Sequence, residues 1–174
     1  MAKIVKFAAI LGIFCVISAG ALAFVYLFTK PRIELYAKLA FEKSLREVLP
    51  PSGSFTRIVS GTIEAQQGAF NNKIIGRAFS VSPQGYSGKI LLLVGIDNQG
   101  RVLGVKILSH RETPGLGSKI VKPEFLRQFT GKNSKDRIEP KKDIDAITGA
   151  TISSRAVAKG VREALGLYEL LERF

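Results

Sequence analysis

Hydroxyl-bearing side chains cluster near the C-terminal end of the sequence, in the segment DAITGATISS at 145–154. Four hydroxyls fall within seven residues and surround a small-residue pair: Thr148, Gly149, Ala150, Thr151, Ser153 and Ser154. Apolar residues recur at spacings of three or four directly afterwards, which predicts an amphipathic helix from about Ser154 to the C-terminus. The start of a helix offers free N–H groups and a positive dipole end, and both favour phosphate. The hydroxyls therefore either cap this helix, through Ser153 or Ser154, or help to bind an anion.

A second segment that could carry chemistry is HRETPGLG at 110–117. Its proline fixes one backbone dihedral, and its two glycines permit conformations closed to other residues. We expect either a structural turn or a loop whose backbone approaches a ligand closely. His110 could donate a proton or simply end a strand. Glu112 could bond a ligand through water, cap the loop or pair with a lysine.

Several classes of site are excluded by composition. Cys15 is the only cysteine and His110 the only histidine of the 174 residues. An internal disulfide, a zinc or iron–sulfur cluster and a multi-histidine metal or haem site therefore cannot form. A hydrolase with a Ser/His/Asp or Cys/His set is equally improbable. We assign no catalytic residue and no metal ligand.

The formal net charge of +12 is spread along the chain. The densest stretch, Lys132 to Lys142, holds five basic and two acidic residues. Such a surface could face anionic lipid, nucleic acid or an acidic protein, although a solvated basic face is the simplest interpretation. We predict no nucleic-acid binding, because no recognition motif accompanies the charge.

The N-terminal region is apolar enough to enter a membrane. Phe7 to Phe28 is a run of 22 residues without a charge, and about 20 such residues span a bilayer as a helix. We predict an uncleaved anchor over residues 1–30, closed by Pro31. A cleaved signal peptide is the alternative, since Ala21-Leu22-Ala23 resembles a cleavage site. The short basic head stays in the cytoplasm, so residues 31–174 should lie outside it.

The elements that must position both segments follow from periodicity and turn signals. They are a helix at Ile33–Leu49, short strands at 57–59 and 74–75 with a turn at 66–68, a hairpin of Lys89–Ile96 and Val102–Leu108, a short helix at Glu124–Phe129, and the C-terminal helix. We predict an α+β fold. One transmembrane helix precedes a single soluble domain, whose mixed or antiparallel sheet is flanked by helices.

Segment 145–153 resembles the D-x-x-S/T-G-A-T-x-S/T signature of the FMN-binding domain family with covalent flavin, with Thr148 where serine is commoner. Segment 110–117 resembles the second shared block of the same family, H-x-E-T-P-G-L-G after a hairpin. The resemblance covers the chain from about Tyr86 onward and, more loosely, the membrane anchor.

The resemblance implies a covalent cofactor. In that family the second threonine of the S/T-G-A-T core, here Thr151, is joined to the FMN phosphate through a phosphoester bond. A separate Mg-dependent flavin transferase makes the bond from FAD. The remaining FMN-binding positions that the resemblance implies are Asp145, Thr148, Gly149, Ala150, Ser153, Glu112, Thr113, Gly115 and Leu116.

The resemblance also implies a setting. The most similar members are the G subunit of the Rnf electron-transport complex and, more distantly, the C subunit of the sodium-translocating NADH:quinone reductase. This implies a single-pass protein of the cytoplasmic (inner) membrane whose soluble domain is periplasmic. Its partners would be the other membrane subunits of a complex that passes electrons between ferredoxin and NAD while it moves ions. The chain would be an electron-transfer subunit rather than a stand-alone enzyme.

Two alternatives remain open at this point. The flavin domain could be an exported redox module or sensor outside such a complex. A basic, membrane-tethered binding or assembly protein without a cofactor is the hypothesis from a different class.

Overall fold

The computed structural model describes residues 1–71 and 73–173. The elements in chain order are α1 Ala2–Val48, β1 Ser54–Ser60, β2 Ile63–Phe70, β3 Lys73–Val81, β4 Leu91–Asp97, β5 Val102–Ser109, a 3-10 helix at Gly117–Val121, α2 Pro123–Leu126, a 3-10 turn at Arg127–Phe129, and α3 Thr151–Glu172. The chain divides into two compact units, Met1–Ala40 and Phe41–Phe174.

The first unit is the greater part of helix α1. This helix contains a window of mean hydropathy 2.5 and can cross a membrane by length and composition. It runs through Pro31, so our prediction that this residue ends the helix is wrong. A proline removes one backbone hydrogen bond and costs about 3 kcal/mol in a helix interior, which many regular turns on each side can offset. The helix predicted at Ile33–Leu49 is therefore the continuation of α1.

The second unit is built on an antiparallel meander of five strands in the order β1-β2-β3-β4-β5. The predicted hairpin is confirmed as β4 and β5, with Val94 opposite Val105. Its turn is closed by Asp97, whose Oδ1 accepts the N–H groups of Gln99 at 2.8 Å and Arg101 at 2.9 Å. Gly100 adopts a φ of +75°, which glycine tolerates best.

Strand β2 occupies the stretch for which we predicted a turn, at Gln66–Gly68. Both neighbours β1 and β3 pair with it, so its polar middle is held by ladders on two sides. Ile63 and Ala65 are buried while Glu64 between them is exposed, which is the alternation of a half-buried strand. Pairing and burial thus outweigh the weak strand propensity of the Gln-Gln-Gly sequence.

Strand β4 carries the core, because it is buried on both faces. Leu92 and Val94 join a cluster with Val157 and Val161 of α3. The opposite face of the sheet packs on the end of α1, in a second cluster formed by Leu45, Val48, Leu49, Ala78 and Leu93. The sheet is thus flanked by helices on both faces, as predicted.

Gly95 allows the end of α1 to lie directly on the sheet. A Cβ added there would lie 2.0 Å from the carbonyl oxygen of Val48, which is backbone and cannot rotate away. We expect Gly95→Ala to lower the free energy of unfolding by roughly 1–3 kcal/mol through overpacking. Denaturant titration should show this loss, whereas Gly166→Ala, with open space around its Cβ, should show none. Equal stability of wild type and Gly95→Ala would contradict this packing.

Candidate functional site

A cavity of about 510 Å³ lies where loop 112–117 meets the start of α3. Its lining residues are Tyr86, Glu112, Thr113, Leu116, Gly117, Gly149, Ala150, Thr151, Ile152 and Ser153. The two segments that we singled out in the sequence therefore form one site. Its volume is in the range of small-molecule sites, about 300–1,000 Å³.

Helix α3 begins at Thr151, three residues before the predicted start. Its N-cap is Ala150, which provides no side-chain cap, so the prediction that Ser153 or Ser154 caps the helix is wrong. The first bond inside the helix runs from the Ser154 N–H to the Ala150 carbonyl at 2.9 Å. The N–H groups of residues 151–153 have no partner within the described ranges, and all three residues line the cavity. These free donors and the positive dipole end favour an anion here.

Ser154 shapes the turn in front of the helix instead of capping it. Its buried hydroxyl accepts the N–H of Ile147 at 3.1 Å and donates to the Ala150 carbonyl at 2.9 Å. Gly149, in the same turn, has a φ of +79°. A Cβ on Gly149 would lie 3.4 Å from the side chain of Leu116. The two sequence motifs thus pack against each other at this glycine.

Glu112 ties three segments around the cavity. Its side chain is only 4% exposed. Oε1 accepts the Ser87 N–H at 3.1 Å, and Oε2 accepts the Ser153 hydroxyl at 2.5 Å. Of the alternatives left open by the sequence, the lysine pair is not seen, since no ion pair includes Glu112 within residues 1–71 and 73–173.

Two glycines make room for this carboxylate. A Cβ on Gly85 would lie 2.4 Å from Oε1 of Glu112, and one on Gly117 would lie 3.0 Å from Oε2. His110 also serves this loop, since its Nδ1 accepts the Glu112 N–H at 3.2 Å. His110 does not line the cavity, which favours its interpretation as a residue that ends the strand.

Seven of the ten predicted cofactor positions line the cavity; the other three, Gly115, Asp145 and Thr148, are not among its lining residues. Gly115 has a φ of +76°, and its N–H donates to the Ser118 hydroxyl at 2.9 Å. Thr148 is exposed. Asp145 lies in a neighbouring depression of about 410 Å³.

Three further residues line the cavity that the sequence did not single out as site residues: Tyr86, Gly117 and Ile152. The sequence does contain a signal for Ile152, because this apolar residue stands between the hydroxyls of Thr151 and Ser153 at the start of a helix. No local sequence pattern identifies Tyr86 as a site residue. It reaches the cavity through the tertiary fold, far along the chain from the start of α3.

Asp143 organises the basic stretch 132–142, which leads into the segment 145–154. Its carboxylate accepts the N–H groups of Ile138 at 3.0 Å and Glu139 at 2.7 Å, and it pairs with the Lys132 ammonium at 3.0 Å. Burial raises the pKa of Asp143, but these hydrogen bonds and the lysine charge outweigh it and lower the pKa to about 2. Lys132 is therefore part of a structural network as well as of the basic surface.

Comparison with known proteins identifies the family. Residues 85–166 match the FMN-binding domain, and residues 1–48 match the RnfG N-terminal region. The G subunit of the ion-translocating oxidoreductase complex of Pseudomonas aeruginosa (strain UCBPP-PA14) is 35% identical over 187 residues, covering 93% of this chain and 87% of the relative. This chain belongs to the family of such G subunits. The G subunit of the proton-translocating ferredoxin:NAD(+) oxidoreductase complex of Clostridium ljungdahlii is 36% identical, covering 89% and 86%.

The fold also has solved counterparts. The crystal structure of Shewanella oneidensis NqrC superposes with a TM-score of 0.54 at 18% identity, covering 73% of this chain and 72% of that one. The C subunit of the Na(+)-translocating NADH-quinone reductase of Parabacteroides distasonis gives 0.55 at 18% identity, covering 74% and 80%. At this identity the likeness concerns the fold, and the α+β architecture of the family is confirmed.

Removal of the Glu112 carboxylate should loosen the cavity. Glu112→Ala leaves the Ser87 N–H and the Ser153 hydroxyl without their acceptor, and the unpaired hydroxyl of Ser153, which is buried, costs roughly 1–3 kcal/mol. We expect the free energy of unfolding, measured by urea titration, to fall by roughly 1–3 kcal/mol. Thr113→Ala, at the exposed neighbouring position, is the control and should be near neutral. Equal stability of the two variants would refute the role of Glu112 as the tie.

The lowered pKa of Asp143 predicts a pH dependence. A depressed carboxyl pKa stabilises the fold above the ordinary value of 3.8, and the stabilisation is lost as pH falls towards about 2. We expect Asp143→Asn to cost roughly 1–3 kcal/mol at neutral pH, with the gap to wild type closing below pH 4. Asp145→Asn, at an exposed side chain, is the control and should leave stability at neutral pH unchanged. A gap that persists undiminished in acid would contradict the assignment.

Proposed function

We propose that this chain is a membrane-anchored flavoprotein that carries FMN covalently on Thr151 and relays electrons within an ion-translocating oxidoreductase complex. One observation carries the proposal. At the start of α3, Thr151 lines a cavity beside three N–H groups that have no partner among the described residues, inside the span that matches the FMN-binding domain. The match of residues 1–48 to the RnfG N-terminal region favours a place in such a complex over an independent flavin module.

The residues present fit FMN in two respects. The free N–H groups of residues 151–153 suit a phosphate diester, which keeps one negative charge. Three exposed apolar side chains, Tyr86 at 68%, Leu116 at 46% and Ile152 at 50%, line the same cavity and suit a flat aromatic ring system. When bound, FMN supplies one- and two-electron transfer at its isoalloxazine ring.

The remaining residues hold and shape the site. Gly149 and Ala150 form the uncrowded turn that presents Thr151, while Ser153 and Glu112 fix the first turn of α3 to the facing loop. Thr113 and Leu116 form the opposite wall, and Gly115 allows the bend between them. Asp145 and Thr148, exposed beside the cavity, serve recognition by the attaching enzyme.

Attachment is a group transfer to the Thr151 hydroxyl by a Mg-dependent flavin transferase. A bond forms between Thr151 Oγ1 and the phosphorus of the FMN half of FAD, and the diphosphate bond breaks. AMP leaves with the electron pair, and the hydroxyl proton passes to a base on the transferase. No oxidant or reductant is consumed, so Thr151 is a substrate in maturation and a tether afterwards.

The membrane setting completes the proposal. Residues 1–30 anchor the protein in the cytoplasmic membrane, and residues 31–174 form a periplasmic FMN-binding domain. The partners are the other membrane subunits of the complex. A tether to the same membrane raises the effective concentration of the flavin near them, and a covalent bond prevents its loss to the exterior.

The test is the intact mass and in-gel flavin fluorescence of the full-length chain co-produced with a flavin transferase. Wild type should gain the mass of FMN less one water, and Thr151→Ala should gain nothing. Thr130→Ala removes an exposed threonine hydroxyl outside both motifs and outside the cavity lining, and it serves as the control, which should still be modified. A wild type that stays unmodified beside an active transferase would refute the covalent proposal. Modification that persists in Thr151→Ala would move the acceptor to another residue.

A further inference from the structure

Gln128 contacts residues 145–154 (the acceptor segment, which carries the proposed acceptor Thr151) from outside both sequence motifs. It lies in the 3-10 turn Arg127–Phe129 and does not line the cavity. Its Oε1 accepts the N–H of Asp145 at 2.7 Å, and its Nε2 donates to the carbonyl oxygen of the same residue at 3.4 Å. One side-chain amide therefore pairs with both backbone groups of Asp145.

The two hydrogen bonds between Gln128 and the backbone of Asp145 form a clamp. Both segments that the clamp joins are anchored in the core. Phe125 and Phe129, on either side of Gln128, are buried with their rings 5.5 Å apart. Ile144, directly before Asp145, is 2% exposed. The clamp thus joins two fixed supports, and the backbone of Asp145 has little freedom between them.

The clamp leaves the Asp145 carboxylate available. The side chain is exposed and makes no hydrogen bond or ion pair within residues 1–71 and 73–173. It lies in the depression of about 410 Å³ whose lining includes Lys119 and Lys122. An exposed carboxylate on a fixed backbone is suited to contact an external partner.

We propose that Gln128 is a positioning residue for flavin attachment, which presents Asp145 to the FAD-carrying transferase. The inference rests on the proposed function, because it concerns transfer of FMN to Thr151. Gln128 fixes the first residue of the acceptor segment, and Ser154 fixes its end. A carboxylate on a backbone that is fixed in advance loses less conformational entropy when the transferase binds it. Loss of the clamp therefore weakens binding of the acceptor and leaves the transfer step itself unchanged.

The experiment follows FMN transfer to the purified full-length chain by in-gel fluorescence, with FAD, Mg²⁺ and the transferase, over a range of acceptor concentrations. We expect Gln128→Leu to raise KM about tenfold, the worth of roughly one net hydrogen bond, with kcat and the final load unchanged. Gln99→Leu, at an exposed glutamine in the β4–β5 turn, is the matched control and should behave as wild type. Gln128→Asn keeps the amide but is one methylene shorter, so it should raise KM as well.

A double-mutant cycle with Asp145→Ala separates positioning from general loosening. If Gln128 acts through Asp145, the double variant is no worse than Asp145→Ala alone, whereas independent effects multiply. Multiplying effects, or an unchanged KM in both Gln128 variants while wild type is modified, would overturn the inference. If Gln128→Leu melts below the assay temperature, Gln128→Asn decides. If wild type takes no FMN, the proposed function fails, and this inference fails with it. If all variants are modified with equal KM values, only the inference about Gln128 fails.

Discussion

The cavity depends on a single buried carboxylate. Glu112 receives a backbone N–H from the segment before β4 and a hydroxyl from the first turn of α3, so three stretches distant in sequence meet at one side chain. A buried polar group must find partners or be costly, and here each partner lies on a different wall. Positions 85 and 117 require glycine for the same reason. Any side chain at either position would occupy the space of the carboxylate oxygens.

The sequence predicts the regular parts of this architecture well. The β4–β5 hairpin and the buried stripe of α3 follow from local periodicity, and the short helix with Phe125 and Phe129 follows from the same signal. The family resemblance indicates the two segments that line the cavity. Seven of its ten positions line one pocket, because the segment that follows the β4–β5 hairpin meets the segment that leads into α3.

What the sequence did not predict depends on distant partners. Strand β2 forms because two neighbours pair with it, although its own Gln-Gln-Gly sequence is typical of a turn. Ser154 looks like a cap by type and position, yet its hydroxyl is used by Ile147 and Ala150 in the preceding turn. The bond from Ser153 to Glu112 spans 41 residues, and no local pattern encodes such a contact. Pro31 shows the opposite failure, in which a strong local signal is overridden by the length of the helix around it.

Helix α3 starts without a side-chain cap, although natural helices generally obtain one from Ser, Thr, Asp or Asn. On the proposed function, the cap is supplied after synthesis. The phosphate diester on Thr151 would bring acceptor oxygens and a negative charge to the N–H groups of residues 151–153, which have no partner in the described part of the chain. Maturation would then complete a secondary-structure element as well as add a redox centre. In the unmodified domain the first turn of α3 would keep these N–H groups unpaired. Subunits with and without FMN would then differ in the stability of this helix start as well as in redox activity.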